Sequence, residues 1–140
     1  MATLSFDGLQ ALQLSVEQLA AIPPEVKAEM LNDAIDVIVD AQKAKAEAYG
    51  VVDSHTMIDS IKKGKPNVLA NECSISCAPE GTRTRGGTKT RNAEIAYINE
   101  YGKEGVDARP FMRDANAEAE GPAVEAAEKK YHNWLDKIGL

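Results

Sequence analysis

The side chains best suited to chemistry are two histidines, two cysteines and one glycine-rich stretch. His55 stands beside Ser54, and His132 lies within the last apolar-periodic segment. A nucleophilic serine needs a histidine base within hydrogen-bond reach and an acid that orients the imidazole. Spacing along the chain supplies no such third group, and a surface or capping histidine is the commoner fate of both. Cys73 and Cys77 fall in an alternating stretch that reads as a strand, where a rise of about 3.3 Å per residue sets them on one face too far apart to bridge. They read as buried thiols, because a zinc centre would need nearly every histidine and cysteine to converge. Gly81 and Gly86 have the separation of a phosphate-binding loop, but Gly87 and Thr88 stand where that loop needs Lys followed by Ser or Thr. No buried strand leads into the stretch and no helix follows directly, so the amide cradle is missing. The expectation is a chain with no catalytic residues, no cofactor and no metal.

Charge isolates one segment. Of 140 residues, 16 are Lys or Arg and 22 are Asp or Glu, which argues against a surface that coats nucleic acid or an anionic membrane. Residues 79–92 carry +3, whereas 1–52, 53–78 and 93–140 are acidic or neutral. Arg83, Arg85, Lys89 and Arg91 sit there among Gly and Thr with no apolar residue, so the stretch predicts a mobile hairpin arm or loop. Its cations suit phosphates or an acidic neighbouring subunit, and either contact weakens with salt. Aromatics are only 5% of the chain, too few for a base-stacking platform.

The elements that position these residues read as α+β within a single domain, 1–140. Phe6, Leu9, Leu12, Val16 and Leu19 have helical spacing that Pro23-Pro24 ends. A long helix starts at Pro24 with Met30, Leu31, Ala34, Val37, Ile38, Ala41, Ala44 and Ala48 on one face, and stops near Gly50. Its late alanines suit close approach of another element, and Glu25, Glu29, Asp33, Asp36 and Asp40 read as a solvated face. A short helix is expected over 56–61 and a strand over 68–78, while 93–98 suits either a returning strand or a helix. Pro110 opens a final helix that Gly121-Pro122 should kink or divide, and Val124, Ala127, Tyr131, Trp134, Leu135 and Ile138 continue its apolar stripe. The simplest assembly is a small antiparallel sheet with helices on one face.

The richest segment is 93–115. Tyr97 and Tyr101 share a side if it is helical, Gly102 permits a sharp turn, and Pro110 sets the chain direction. Phe111-Met112 offers an apolar anchor between Arg109 and Arg113, with at least one of the pair expected inside the core. The two arginines could hold Glu100 internally or reach a neighbouring subunit.

Ala96-Tyr97, Glu100-Tyr101-Gly102 and the run from Ala108 to Ala115 resemble the tail-component family of long-tailed bacteriophages, in which Tyr-Ala-x-x-x-Glu-Phe-Gly precedes Ala-Arg-Pro-Phe-Leu-Arg-x-Ala. A second stretch, 51–61, is similar to that family's Pro-Val-Asp-Thr-Gly-x-Leu-Arg-x-Ser-Ile. Here Ser54-His55 replaces Thr-Gly, Gly50-Val51 lacks the usual proline, and the basic stretch has no counterpart. The likeness spans most of the chain, from Asp7-Gly8-Leu9 to the final helix. The resemblance implies a non-catalytic virion protein of the head-tail connector, neck or tail-completion region, with an α+β fold. Its expected partners are copies of itself in a ring, connector proteins, and tail-tube or tail-terminator proteins.

In a ring, the basic arm could cross to the acidic helix 25–40 of a neighbour or face DNA in the lumen. The alternative is a small nucleic-acid-binding module using Arg83 to Arg91. Residues 1–14 contain no Lys or Arg, unlike the start of a secretory signal, and no uncharged run nears the roughly 20 residues that cross a bilayer. The expected location is the host cytoplasm, then the virion.

Overall fold

The computed structural model describes residues 2–6, 12–14, 22–51, 55–69 and 72–139. In chain order the elements are β1 (Ala2–Phe6), β2 (Leu12–Leu14), α1 (Pro24–Ala48), α2 (His55–Asp59), β3 (Ile61–Lys63), β4 (Asn67–Val68), β5 (Glu72–Ile75), β6 (Cys77–Pro79), β7 (Thr82–Arg85), β8 (Thr88–Arg91), α3 (Asn92–Tyr101) and α4 (Phe111–Lys137). The fold is α+β, with small, mostly antiparallel sheets packed against helices. There are three sheets rather than one among the described residues: β2-β1-β5-β4, β3-β6 and β7-β8. One pairing, β1 with β5, is parallel.

The framework is the antiparallel pair α1 and α4. Helix α1 begins with Pro24 at its first position and closes through the Val51 N–H to the Ala46 carbonyl, 3.2 Å, and the Gly50 N–H to Glu47, 3.1 Å. Toward the partner helix and the sheet, α1 buries Met30, Leu31, Ala34, Ile35, Ile38, Gln42 and Ala46. The expected stripe is thus corrected: Ala44 and Ala48 are exposed, because a contact in steps of four residues drifts around a 3.6-residue helix. The small residues that allow close approach lie mainly on α4, where Ala115, Ala119, Ala123 and Ala127 recur every fourth residue and are all buried.

Helix α4 is not divided at Gly121-Pro122. Both residues are exposed, so the carbonyl that Pro122 leaves without a donor lies on the solvent side, away from the alanine row. Two apolar clusters result. One joins α1, β5 and the middle of α4 around Met30, Leu31, Ile38, Cys73 and Ala123. The other gathers Ala46, Val51, Met57, Ile58, Ile61, Ile95, Ala96 and Phe111.

Several sequence expectations are revised. Where a first helix was expected, β1 and β2 pair antiparallel with Leu4 opposite Leu12, while Leu9, Val16 and Leu19 lie outside the described residues. The β1 pairing with β5 joins segments about seventy residues apart, and local periodicity carries no trace of such a pairing. The short helix is His55–Asp59, and Ile61 already belongs to β3. The single strand over 68–78 falls in three strands: Val68 ends β4, which pairs with β5, and β6 follows after Ser76 and pairs with β3. Residues 93–98 are helical.

Candidate interaction surface

The segment from α3 to α4 forms a closed corner. Helix α4 is preceded by Pro110, whose side chain cannot cap the free amides of the first turn. Glu100, near the end of α3, performs that role from another helix: its Oε2 accepts from the Met112 N–H at 2.9 Å and its Oε1 from the Arg113 N–H at 3.1 Å. A carboxylate there also faces the positive end of the helix dipole. The arginines therefore do not hold Glu100; the backbone between them does.

Gly102 makes the corner possible. Its φ is +77°, and a Cβ there would stand 2.9 Å from the Val106 carbonyl oxygen and the Ala108 nitrogen. Lys103 and Val106 then exchange backbone hydrogen bonds, both 2.9 Å, and the Arg109 N–H donates to the Asn99 carbonyl at 2.6 Å. The Arg109 guanidinium donates to the Gly50 carbonyl, tying the corner to the C-terminal end of α1, where a cation is favoured. Phe111 is fully buried and seats the start of α4 in the second apolar cluster.

Beside the corner, the facing ends of α1 and α4 form a polar seam. Gln42 Nε2 donates to Asn116 Oδ1 at 2.9 Å, Lys45 Nζ to Glu118 Oε1 at 2.7 Å, and the Tyr49 hydroxyl to Asp114 Oδ2. The Tyr49 bond, helped by Arg113 Nε at 3.3 Å, holds the Asp114 carboxyl below its usual range and raises the Tyr49 phenol. Lys45 is raised by its bond to Glu118.

What the corner leaves outside is aromatic. Tyr97 and Tyr101, one helical turn apart on α3, have ring centroids 4.8 Å apart at an interplanar angle of 50° and remain 63% and 69% exposed. They border an open groove of about 330 Å³, whose far side is Met112, Arg113 and Asn116 of α4. Two tilted, touching tyrosines beside a methionine and an arginine match the residue types that concentrate binding energy at interfaces.

The basic segment is a paired hairpin and not a wholly free loop. Gly86 and Gly87, with φ of +58° and +80°, form its two-residue turn, as such turns require. Arg83 and Thr90 are half-buried and line a second groove of about 250 Å³ with Ile95, Ile98 and Asn99; Arg85, Lys89 and Arg91 are exposed.

The residues proposed from sequence thus part into two groups. Phe111 lies inside the fold and is corrected as a surface candidate because it fills the core, and Glu100, largely buried, caps α4 while lining the tyrosine groove. Arg109 is half-buried and engaged with Gly50. Tyr97, Tyr101 and Arg113 share a groove, and the hairpin cations stand apart from it. Asn116 was missed by sequence reasoning; its position one turn beyond Met112 was the available signal.

His55 and His132 are exposed, and Ser54 lies outside the described residues. Neither Cys73 nor Cys77 is in a disulfide, and burial pushes the Cys73 thiol up. Among the described residues, no three His, Cys, Asp or Glu side chains gather as a metal site, and no helix is long and apolar enough to cross a membrane. No family model, curated protein or solved structure matches the chain.

Proposed function

We propose that this protein is a non-catalytic virion component of a long-tailed phage or prophage, acting in the head-tail connector, neck or tail-completion region. It works by associating with copies of itself in a ring and by docking to connector and tail-tube or tail-terminator proteins. One observation carries the reading: both stretches that resemble the tail-component family, 51–61 and 96–115, send residues into the same apolar cluster. Val51, Met57, Ile58 and Ile61 meet Ala96 and Phe111 there, and the resulting corner turns Tyr97, Tyr101 and Arg113 outward beside one groove. In this reading the motif residues build a platform, and the exposed ones dock.

Light scattering of the chain alone, and mixed with connector or tail-tube proteins of long-tailed phages, tests this. A ring or a partner-dependent complex is expected, weakened at least about tenfold in Kd by Tyr97→Ala with Tyr101→Ala, because truncating aromatic anchors typically costs more than 1 kcal/mol each. A monomer indifferent to all these partners overturns it. The exposed cations of the hairpin favour one second reading, a nucleic-acid module. Its signature is duplex binding whose affinity falls with salt at about 0.9 log units per phosphate contacted.

A further inference from the structure

The strand register divides the hairpin's charge between two faces. Arg83 stands opposite Thr90 and Arg85 opposite Thr88, so these four share one face; Thr82 stands opposite Arg91 and Thr84 opposite Lys89, on the other. The first face leans toward α3 through Arg83 and Thr90. The second is exposed at all four positions. It presents two hydroxyls and two cations, with Lys89 and Arg91 about 7 Å apart along β8. Neither cation forms an ion pair among the described residues.

A surface of opposite sign runs along α1. Glu25, Glu29, Asp33, Asp36 and Asp40 follow one another at steps of three and four, a stripe about 22 Å long. Among the described residues two lysines answer it: Lys130 lies 3.5 Å from Asp33 and 4.0 Å from Glu29, and Lys63 lies 2.9 Å from Asp36. Five carboxylates thus face two cations. Asp36 is 57% exposed at its side chain, and Asp40, one turn further, is exposed with no ion pair among the described residues. Carboxylates one turn apart are about 6 Å from each other, close to the spacing of Lys89 and Arg91.

We propose that Lys89 and Arg91 of one copy dock on the Asp36–Asp40 turn of α1 in the next. The proposal rests on the association reading above and gives it a direction. Each copy offers the hairpin to one neighbour and the helix to the other, a heterologous contact that closes into a ring when the rotation allows. Nucleic acid suits the hairpin less well, since only two cations face outward together and the chain as a whole carries -6.

The test is solution mass of the full chain at low and at about 0.5 M salt, where exposed charge pairs are screened. Lys89→Glu with Arg91→Glu, and separately Asp36→Lys with Asp40→Lys, should each weaken self-association at least about tenfold, as juxtaposed like charges do. An equal mixture of the two variants should associate again, since each reversed face then meets its reversed complement and the two unaltered faces still match. The milder Lys89→Gln with Arg91→Gln, and Asp40→Asn alone, should weaken it less and guard against misfolding.

Self-association that survives either reversal, or a mixture that stays apart, overturns the docking while leaving association through the tyrosine groove standing. A wild-type chain that stays monomeric at every concentration, alone and mixed with connector or tail-tube proteins, overturns both. Duplex DNA binding abolished by Lys89→Glu with Arg91→Glu, with no change in mass, overturns the docking in favour of a nucleic-acid contact.

Discussion

The corner between α3 and α4 and the hairpin between β7 and β8 are neighbours, yet they use polar residues in opposite ways. In the corner, Glu100 and Arg109 are consumed by backbone groups that would otherwise lack partners: the first amides of α4 and the last carbonyls of α1. In the hairpin, the charged ends of Lys89 and Arg91 form no ion pair among the described residues. A short run of charged and aromatic residues is thus as readily a device for turning the chain as a binding site. The two are told apart by asking which orphaned backbone atoms each side chain reaches.

This contrast breaks most sharply at Phe111. Phe111→Ala should cost about 3–5 kcal/mol in urea unfolding, the range for deleting a fully buried aromatic ring. A loss below about 1 kcal/mol would mean that the corner is not anchored by the second cluster. Glu100→Ala comes next, at about 2–3 kcal/mol, since two first-turn amides lose a charged acceptor. Gly102→Ala should cost about 1–3 kcal/mol through its positive φ, with the added need to displace backbone that a Cβ would meet at 2.9 Å. Thermal unfolding of both variants checks these values.

Asp114 sharpens the comparison through pH. Its carboxyl is held low in the folded chain by Tyr49 and Arg113, so its contribution is fully present above the ordinary carboxyl value of about 3.9 and is lost as pH falls through the lower folded value. Asp114→Asn should lower the melting temperature at pH 7, and the gap to wild type should close in strong acid. A constant gap across that range would show that the carboxylate charge is not what the seam uses. The smallest effects belong to the hairpin: Arg85, Lys89 and Arg91 changed to Gln should leave stability within about 0.5 kcal/mol while altering association.

What the sequence made legible followed local rules. Pro24, the apolar period of α1, the stop near Gly50 and the Pro110 start of α4 all depend on neighbours a few residues away, and each was readable. The pairing of Tyr97 with Tyr101 was readable once helix was assumed, because residues four apart share a face. Three features were hidden for the same reason. The β1–β5 pairing, the capping of α4 by Glu100 and the tie from Arg109 to Gly50 join parts of the chain that no local pattern connects. The basic stretch was legible as a hairpin arm or a loop, but its pairing and the division of its cations between two faces depend on register, which follows from the two-residue Gly86-Gly87 turn.

The alanine row of α4 also sets an order of events during synthesis. Met30, Leu31, Ile35 and Ile38 emerge from the ribosome early, but Ala115 to Ala127, which cover them, follow roughly 80 residues later. At about 5–20 residues per second that interval is on the order of ten seconds. For that time the buried face of α1 has only its own helix and the small strands for company. Nascent copies crowded on one message would meet with these faces bare, so slow translation between α1 and α4 should favour aggregation, and a chaperone that shields one amphipathic helix should relieve it.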